Sequence, residues 1–209
     1  MSLDRFKSIY TVTAQSENQL SSNEPAFPVS DLAPIIAELG GQTFNHGVFR
    51  VFRADQIPAA VQDMESMFPQ YRGRLVPFAF DWLGRHFALD LAKGDNGQPQ
   101  MLMLEVGSGQ AMIIPVPVWD FLNVELVEYA ADALATSFWQ EWRSLNPADL
   151  AFTDCVGYKV PLFLGGADVV ANLEVSDMSV YVELCCQLRN KTRKLPPGQS
   201  IGSVALKDV

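Results

Sequence analysis

Cysteine is scarce in this sequence, which limits both its covalent cross-linking and its metal chemistry. The three cysteines are an odd number, and two of them, Cys185 and Cys186, are adjacent. They provide no framework of disulfide bonds, and the chain has neither a Cys-x-x-Cys pair nor the cysteine and histidine spacing of a zinc site. We therefore expect buried free thiols and a protein that works without a metal or another cofactor.

Long apolar runs are also missing. No uninterrupted apolar segment approaches the roughly 18 residues that a membrane-spanning helix needs. The first residues, MSLDRFKSIYTVTAQS, lack the charged and then apolar layout of a secretory signal. Since 48% of the residues are hydrophobic and 19% are charged, the composition is that of a globular protein. The sequence predicts a cytoplasmic protein without a membrane segment.

Histidine is rare too, and the chain offers little that matches a catalytic motif. His46 lies in a predicted turn and His86 in a predicted strand, and neither has a serine or cysteine nucleophile motif beside it. Ser108, between two glycines, lacks the spacing of a nucleophile elbow. Gly165-Gly166 lacks the third glycine and the lysine of a phosphate-binding loop. We predict no catalytic residues.

One pattern would support a catalytic alternative. Asp81 and Asp90 could meet across a β-hairpin, beside His86, and form a paired-carboxylate site for general acid and base catalysis. Acids on the solvent-exposed face of a hairpin are the commoner explanation of the same pattern. In that interpretation the three side chains face water and carry no chemistry.

The densest alternation of apolar and polar residues lies in residues 75–91, and we expect the fold to be organised around it. Apolar residues alternate in both arms of a hairpin, with Phe80 in the first arm, Phe87 in the second and a turn at residues 82–85. Two more strands are predicted, at residues 101–106 and 111–116. The sequence predicts an α+β fold in which an antiparallel β-meander packs against helices.

Helical periodicity flanks the meander in the sequence. Before it, Ser30 and Asp55 are placed to cap two helices. After it, the apolar period changes from 2 to 3.6, which predicts two helices, or one bent helix, between residues 122 and 145. A last helix is predicted from Asp177, although residues 180–186 would also suit a buried strand.

Two prolines, Pro115 and Pro117, mark the best candidate for a domain boundary. We predict three segments in the chain. They are a polar N-terminal arm at residues 1–29, an α+β domain at 30–117 and a C-terminal domain at 118–209. We expect the two domains to pack as one globule.

Acidic residues outnumber basic ones, and the excess is local. The formal net charge is −9, and between Asp120 and Glu183 there are eleven acidic residues against two basic ones. Residues 189–209 have the opposite sign, with five basic residues and one acidic residue. An acidic segment repels nucleic acid and attracts basic partners over a Debye length of roughly 8 to 10 Å. The alternative is a solvated surface that only keeps the protein in solution.

The C-terminal part of the chain contains a motif that resembles a known family. The motif comprises CVGYKVPLFLGG at residues 155–166, Asn172-Leu173-Glu174, Asp177, Val180-Tyr181 and Gln187-Leu188. It resembles the C-terminal domain of type VI secretion immunity proteins that neutralise DNase toxins. Two upstream elements, at residues 40–50 and 78–90, resemble the GAD-like domain that precedes it in that family. The central hairpin is also similar to the core hairpin of the SUKH superfamily, in which many members are immunity proteins.

The resemblance implies a SUKH-like inhibitor that binds a cognate secreted nuclease toxin by direct protein contact. A nuclease must hold DNA phosphates and is therefore basic, so an acidic surface suits it. The candidate partner-binding residues are acids of the C-terminal segment: Asp154, Asp168, Glu174, Asp177 and Glu183. The alternative is a SUKH-type interaction or regulatory module without a toxin partner. Neither implies an enzyme, a nucleic-acid ligand or a membrane.

Overall fold

The structure, a computed structural model, describes residues 2–16, 30–93 and 97–192. Over these ranges the fold is α+β, with an antiparallel β-meander packed against helices, as predicted. No helix in the described ranges is long and apolar enough to cross a membrane. The predictions for residues 17–29 of the arm and for most of the basic tail lie outside the described residues.

Seven strands of the described residues form one sheet, in chain order, and each pairs antiparallel with the next. They are β1 (Val12–Gln15), β2 (Gln42–Phe44), β3 (Phe49–Val51), β4 (Leu75–Asp81), β5 (His86–Lys93), β6 (Pro99–Glu105) and β7 (Gln110–Ile114). The predicted hairpin, β4 and β5, lies in the middle of it. Two further strands, β8 (Asp154–Tyr158) and β9 (Leu173–Asp177), make a separate antiparallel ribbon.

The helices of the described residues lie before, between and after these strands. They are α1 (Asp4–Ile9), α2 (Leu32–Leu39), α3 (Ile57–Met67), α4 (Val118–Asp120), α5 (Leu126–Glu128), α6 (Ala130–Ala133), α7 (Thr136–Leu145) and α8 (Met178–Thr192). A π-helical segment, Phe121–Glu125, joins α4 to α5. Residues 180–186 are helical, which overturns the strand alternative, and Tyr181 and Cys185 are buried one turn apart.

Both predicted caps before the meander are wrong. Ser30 does not cap α2, which begins at Leu32 without a side-chain cap. The Asp55 carboxylate does not cap α3 either, because it accepts hydrogen bonds of 2.9 and 3.0 Å from the Arg53 guanidinium. Two charge-assisted bonds to the neighbouring guanidinium occupy the carboxylate in place of a bond to a backbone N–H of α3.

Helices and loops cover both faces of the large sheet. On one face the ring of Phe87 lies 4.9 Å from that of Phe121, in the broken helix after β7. On the other face the ring of Phe80 lies 5.4 Å from that of Phe152, in the loop before β8. The alternation predicts that Phe80 and Phe87 are buried on one face of the hairpin; both are buried, but they lie on opposite faces because the register shifts between Pro77 and Ala79.

The predicted solvent face of the hairpin does not exist. Asp81, His86 and Asp90, which the alternation places on that face, are all buried. The register of β4 against β5 shifts between Pro77 and Ala79, and such a bulge reverses the alternation beyond it. Alternation of apolar and polar residues also predicts a solvent-exposed face only when no other element packs against the polar side. Here both sides of the hairpin are covered.

The beginning of the chain belongs to the fold, although a polar arm is predicted there. Phe6 of α1 is fully buried, stacked on Tyr10 and edge-on to Phe44, with centroid distances of 4.6 and 5.0 Å. The Tyr10 hydroxyl donates a 2.8 Å hydrogen bond to the carbonyl oxygen of Leu126. Residues on both sides of Pro117 therefore contribute to one hydrophobic core.

Candidate functional site

The turn between β4 and β5 fastens the large sheet to the C-terminal ribbon. The buried Asp81 carboxylate accepts 3.0 Å hydrogen bonds from the N–H groups of Leu83 and Arg85 and a 2.6 Å bond from the Arg85 side chain. These bonds close the turn in one shape. The carbonyl oxygen of Trp82 then accepts a 2.6 Å bond from the N–H of Val156, in β8.

Arg50 holds the loop that leads into the ribbon. Its fully buried guanidinium donates to the carbonyl oxygen of Ala151 at 2.9 Å and to that of Asp154, and it lies 4.7 Å above the Phe80 ring. Burial lowers the pKa of Arg50 to about 10, so the side chain is charged at neutral pH. Because a planar guanidinium can serve several acceptors at once, one residue fixes the start of β8.

The ribbon and α8 approach so closely that β8 needs a glycine. A Cβ atom on Gly157 would lie 2.5 Å from the ring of Tyr181, in α8. At the same place the N–H of Tyr158 donates a 3.3 Å hydrogen bond to the Tyr181 hydroxyl. This contact fixes α8 against the ribbon, and so it also fixes the side chains where β9 runs into α8.

Acidic and apolar side chains alternate along the surface at that junction. We call them the acid–valine strip, which consists of Asp154, Val175, Asp177, Val180 and Glu183. Asp154 lies opposite Asp177 in the ribbon, and Val175, two residues before Asp177, points to the same side. The Asp177 carboxylate accepts a 3.1 Å hydrogen bond from the N–H of Val180. Glu183 follows Val180 by three residues and is therefore its neighbour on the helix surface.

The acid–valine strip carries negative charge, although the buried Arg50 guanidinium lies close enough to Asp154 to interact with its charge. None of its carboxylates forms an ion pair with a described residue. The hydroxyl of Ser179 holds the pKa of Asp177 below its usual range. Partial burial, together with the charge of Glu183, raises the pKa of Asp63 in α3. The negative surface thus extends towards α3.

Two of the five predicted partner-binding acids lie apart from this strip. Asp168 accepts a 2.7 Å hydrogen bond from the hydroxyl of Tyr158. Glu174 is exposed, but alternation along β9 points it to the side opposite Val175, level with Gly157. The structure therefore brings three of the predicted acids together and leaves these two elsewhere.

The two valines of the strip are candidates that sequence reasoning misses. Val175 is 52% exposed and Val180 is 41% exposed, whereas a valine in a strand or helix is usually read as a core residue. Exposed apolar residues bordered by charges are typical of protein interfaces. The sequence does contain a signal, because Glu174, Ser176 and Asp177 surround Val175. A strand with so many polar residues can be exposed on both of its sides.

The structure does not assemble the paired-carboxylate alternative. Asp90 pairs with Leu75, at the end of the hairpin far from Asp81. The buried imidazole of His86 donates a 3.1 Å hydrogen bond through Nδ1 to the carbonyl oxygen of Gly84. Burial lowers the pKa of His86 to about 4, so this imidazole is neutral and enclosed.

The cysteines are buried and free, as predicted. Burial raises the pKa of each thiol, to about 12 for Cys185 and Cys186. All three are therefore thiols at neutral pH, and the thiolate is the nucleophilic form. Within residues 2–16, 30–93 and 97–192, no three or more histidine, cysteine, aspartate or glutamate side chains are grouped to hold a metal ion.

Comparison with known proteins gives a fold relationship. No protein-family model matches the sequence, and no curated protein matches it. A solved structure, that of Atu4351 from Agrobacterium tumefaciens, is similar with a TM-score of 0.63 at 11% sequence identity, and the similarity covers 89% of each chain. At this identity the likeness concerns the arrangement of helices and strands alone. This chain therefore shares its α+β fold with Atu4351 over most of its length.

Proposed function

We propose that this chain is an immunity protein, which binds a cognate secreted nuclease toxin in the cytoplasm and neutralises it by direct contact. The observation that supports this best is the acid–valine strip, where exposed valines lie among carboxylates that pair with no described base. The partner class comes from the resemblance of residues 155–188 to type VI secretion immunity proteins.

A surface of this composition suits a basic partner with an apolar centre. A nuclease presents lysine and arginine side chains to DNA phosphates, and the carboxylates of Asp154, Asp177 and Glu183 can meet the same cations. Complementary charges of this kind speed encounter and set orientation. Val175 and Val180 provide apolar contact, and a few such buried side chains hold most of the energy of an interface.

The proposed inhibition requires no catalysis by this chain. An inhibitor bound over the DNA-binding cleft of the toxin keeps phosphate groups out and acts with one molecule per toxin. Arg50 and the turn at Asp81 hold the ribbon before binding occurs. Because a preorganised surface loses little conformational freedom on binding, these buried contacts would support tight association.

The test starts from the partner in the host cell. The chain is used to capture its partner, the partner is identified by mass spectrometry, and its DNA cleavage is measured with and without the purified chain. We expect one equivalent of the chain to abolish cleavage and the Val175→Arg or Glu183→Lys variant to fail at that ratio. The control is Val12→Arg, at a residue of β1 that is 47% exposed, which should inhibit like the wild type.

A different result would decide against the proposal. A stable partner without nuclease activity would contradict it and favour a SUKH-type interaction module. Inhibition that survives both strip substitutions would show that the toxin binds another surface.

A further inference from the structure

Within the described residues, the outer edge of β7 lacks the bulges and charged side chains that protect an edge strand. In the described residues β7 is the last strand of the sheet, and its five residues pair with β6 without an irregularity. At the opposite edge, the register of β1 shifts between Val12 and Ala14. Bulges of this kind discourage the addition of another strand. The backbone groups on the outer side of β7 therefore form a regular template.

The edge also lacks charge. Residues 106–119 are fourteen consecutive residues without an aspartate, glutamate, lysine, arginine or histidine, in a chain of net charge −9. Charged side chains on an edge are the usual means of keeping other strands away. Two copies of a chain with this negative charge repel each other over most of their surfaces. The repulsion is weakest where the uncharged residues of the two copies meet.

Apolar side chains are exposed on both sides of this edge. Met112 is 39% exposed and Ile113 is 57% exposed, and as successive residues of a strand they point to opposite faces. Their β6 neighbours, Met103 and Leu102, are buried. The hydrophobic layers on the two faces thus continue as far as β7 and end there in partly exposed side chains.

We propose that β7 binds β7 of a second copy of this chain, antiparallel about a two-fold axis at Met112. In this register Met112 pairs with its own equivalent, Ala111 with Ile113, and Gln110 with Ile114, so every cross-strand pair is uncharged. A two-fold axis makes the interface self-complementary. Two seven-stranded sheets become one continuous sheet, and Met112 and Ile113 are covered. The interface is separate from the acid–valine strip and does not depend on the proposed function.

Two described charged groups close to β7 fit this arrangement. Glu105 lies opposite Gln110, and the Arg189 guanidinium lies against Gly109, so both are at the turn end of the strand. Antiparallel pairing sets the turn end of one copy beside the other end of its partner, where Pro115 follows. The like charges of the two copies therefore lie at opposite ends of the interface.

Sedimentation of the full chain tests the dimer. Between about 1 and 100 μM, where weak dimers form, we expect the mass to rise from that of the monomer to that of the dimer. Ile113→Lys, which changes a mostly exposed side chain, should stay monomeric throughout and melt like the wild type. Val12→Lys, the same charge on the opposite edge strand, should dimerise normally.

A cross-link tests the register. Opposite residues of paired strands have Cβ atoms about 4.5–5.5 Å apart, so Met112→Cys should form an intermolecular disulfide under mild oxidation. Val12→Cys should not, and the native thiols are buried. A wild-type chain that is monomeric at the highest concentration would overturn the proposal. So would a dimer that survives Ile113→Lys, because its interface would lie elsewhere.

Discussion

Phe80 and Phe87 lie on paired strands and point to opposite faces of the sheet, because they are one register position apart. Phe80 pairs with His86, the residue before Phe87. The ring of Phe80 lies 4.5 Å from that of Phe52, whereas the ring of Phe87 lies 4.9 Å from that of Phe121. The central hairpin therefore holds together two hydrophobic layers, and each layer contains one of these phenylalanines.

The first prediction concerns this double core. Phe87→Ala should lower the free energy of unfolding by about 3–5 kcal/mol, because a fully buried ring is lost and a cavity remains. Phe80→Ala should cost a similar amount through the other layer. Urea denaturation measures both, and Val175→Ala, at an exposed valine, is the control. A loss below about 1 kcal/mol for Phe87→Ala, an ordinary surface effect, would contradict the assigned packing.

The second prediction concerns the buried guanidinium. Arg50→Lys keeps the charge but removes the fork that serves the carbonyl oxygens of Ala151 and Asp154. We expect a loss of about 2–4 kcal/mol, since each unsatisfied buried acceptor costs about 1–3 kcal/mol. The matched control is Arg5→Lys, in an exposed ion pair with Glu128, which should change stability little. Equal stability of the two variants in urea would argue against the role of Arg50.

The third prediction is a pH dependence. The pKa of His86 falls from 6.5 to about 4 on folding, so below pH 6.5 the unfolded chain binds a proton that the folded chain does not. Its contribution to stability is therefore present above pH 6.5 and lost as the pH falls towards 4, by up to about 3 kcal/mol. In His86→Asn, which can still donate to Gly84, the loss of stability between pH 6.5 and 4 should be smaller. If the stability of the wild type and of His86→Asn depended on pH in the same way, the pH dependence would not come from His86.

The fourth prediction concerns charge at the proposed toxin interface. Raising salt from about 50 to 500 mM should slow association with the purified toxin at least about ten-fold, with a smaller effect on dissociation. Glu183→Lys, in the strip, should weaken binding more than Glu174→Lys or Asp168→Lys, which lie apart from it. Glu183→Lys and Glu174→Lys should fold normally, because exposed charges contribute little to stability; a thermal melt checks Asp168→Lys, which loses the hydrogen bond from the Tyr158 hydroxyl. An association rate that does not change with salt, measured by stopped flow, would contradict this prediction. It would show that the acidic excess is only a solvated surface.

Local patterns in the sequence determined the elements of the fold. Alternation in residues 75–91 identifies β4 and β5, and the change to a period of 3.6 identifies α7, whereas the sequence of α8 also suits a strand at residues 180–186. These features could be predicted because each depends on residues close together in the chain. The free thiols could be predicted too, because an odd number of cysteines without disulfide or zinc spacing already argues against cross-links and metal sites.

Tertiary structure alone decided which faces are covered and which surface is available to a partner. The bulge before Phe80 inserts one extra residue into β4 and so reverses the alternation of faces beyond it. The period of the sequence pattern alone cannot show that such a residue is unpaired. Arg50 finds its carbonyl partners about a hundred residues later in the chain, so its burial leaves no local signal. Asp154 and Asp177 meet through the pairing of β8 with β9, and Glu183 joins them because Gly157 lets α8 pack tightly on the ribbon. Composition places an acidic excess in this half of the chain, but only packing selects the carboxylates and valines that share one surface.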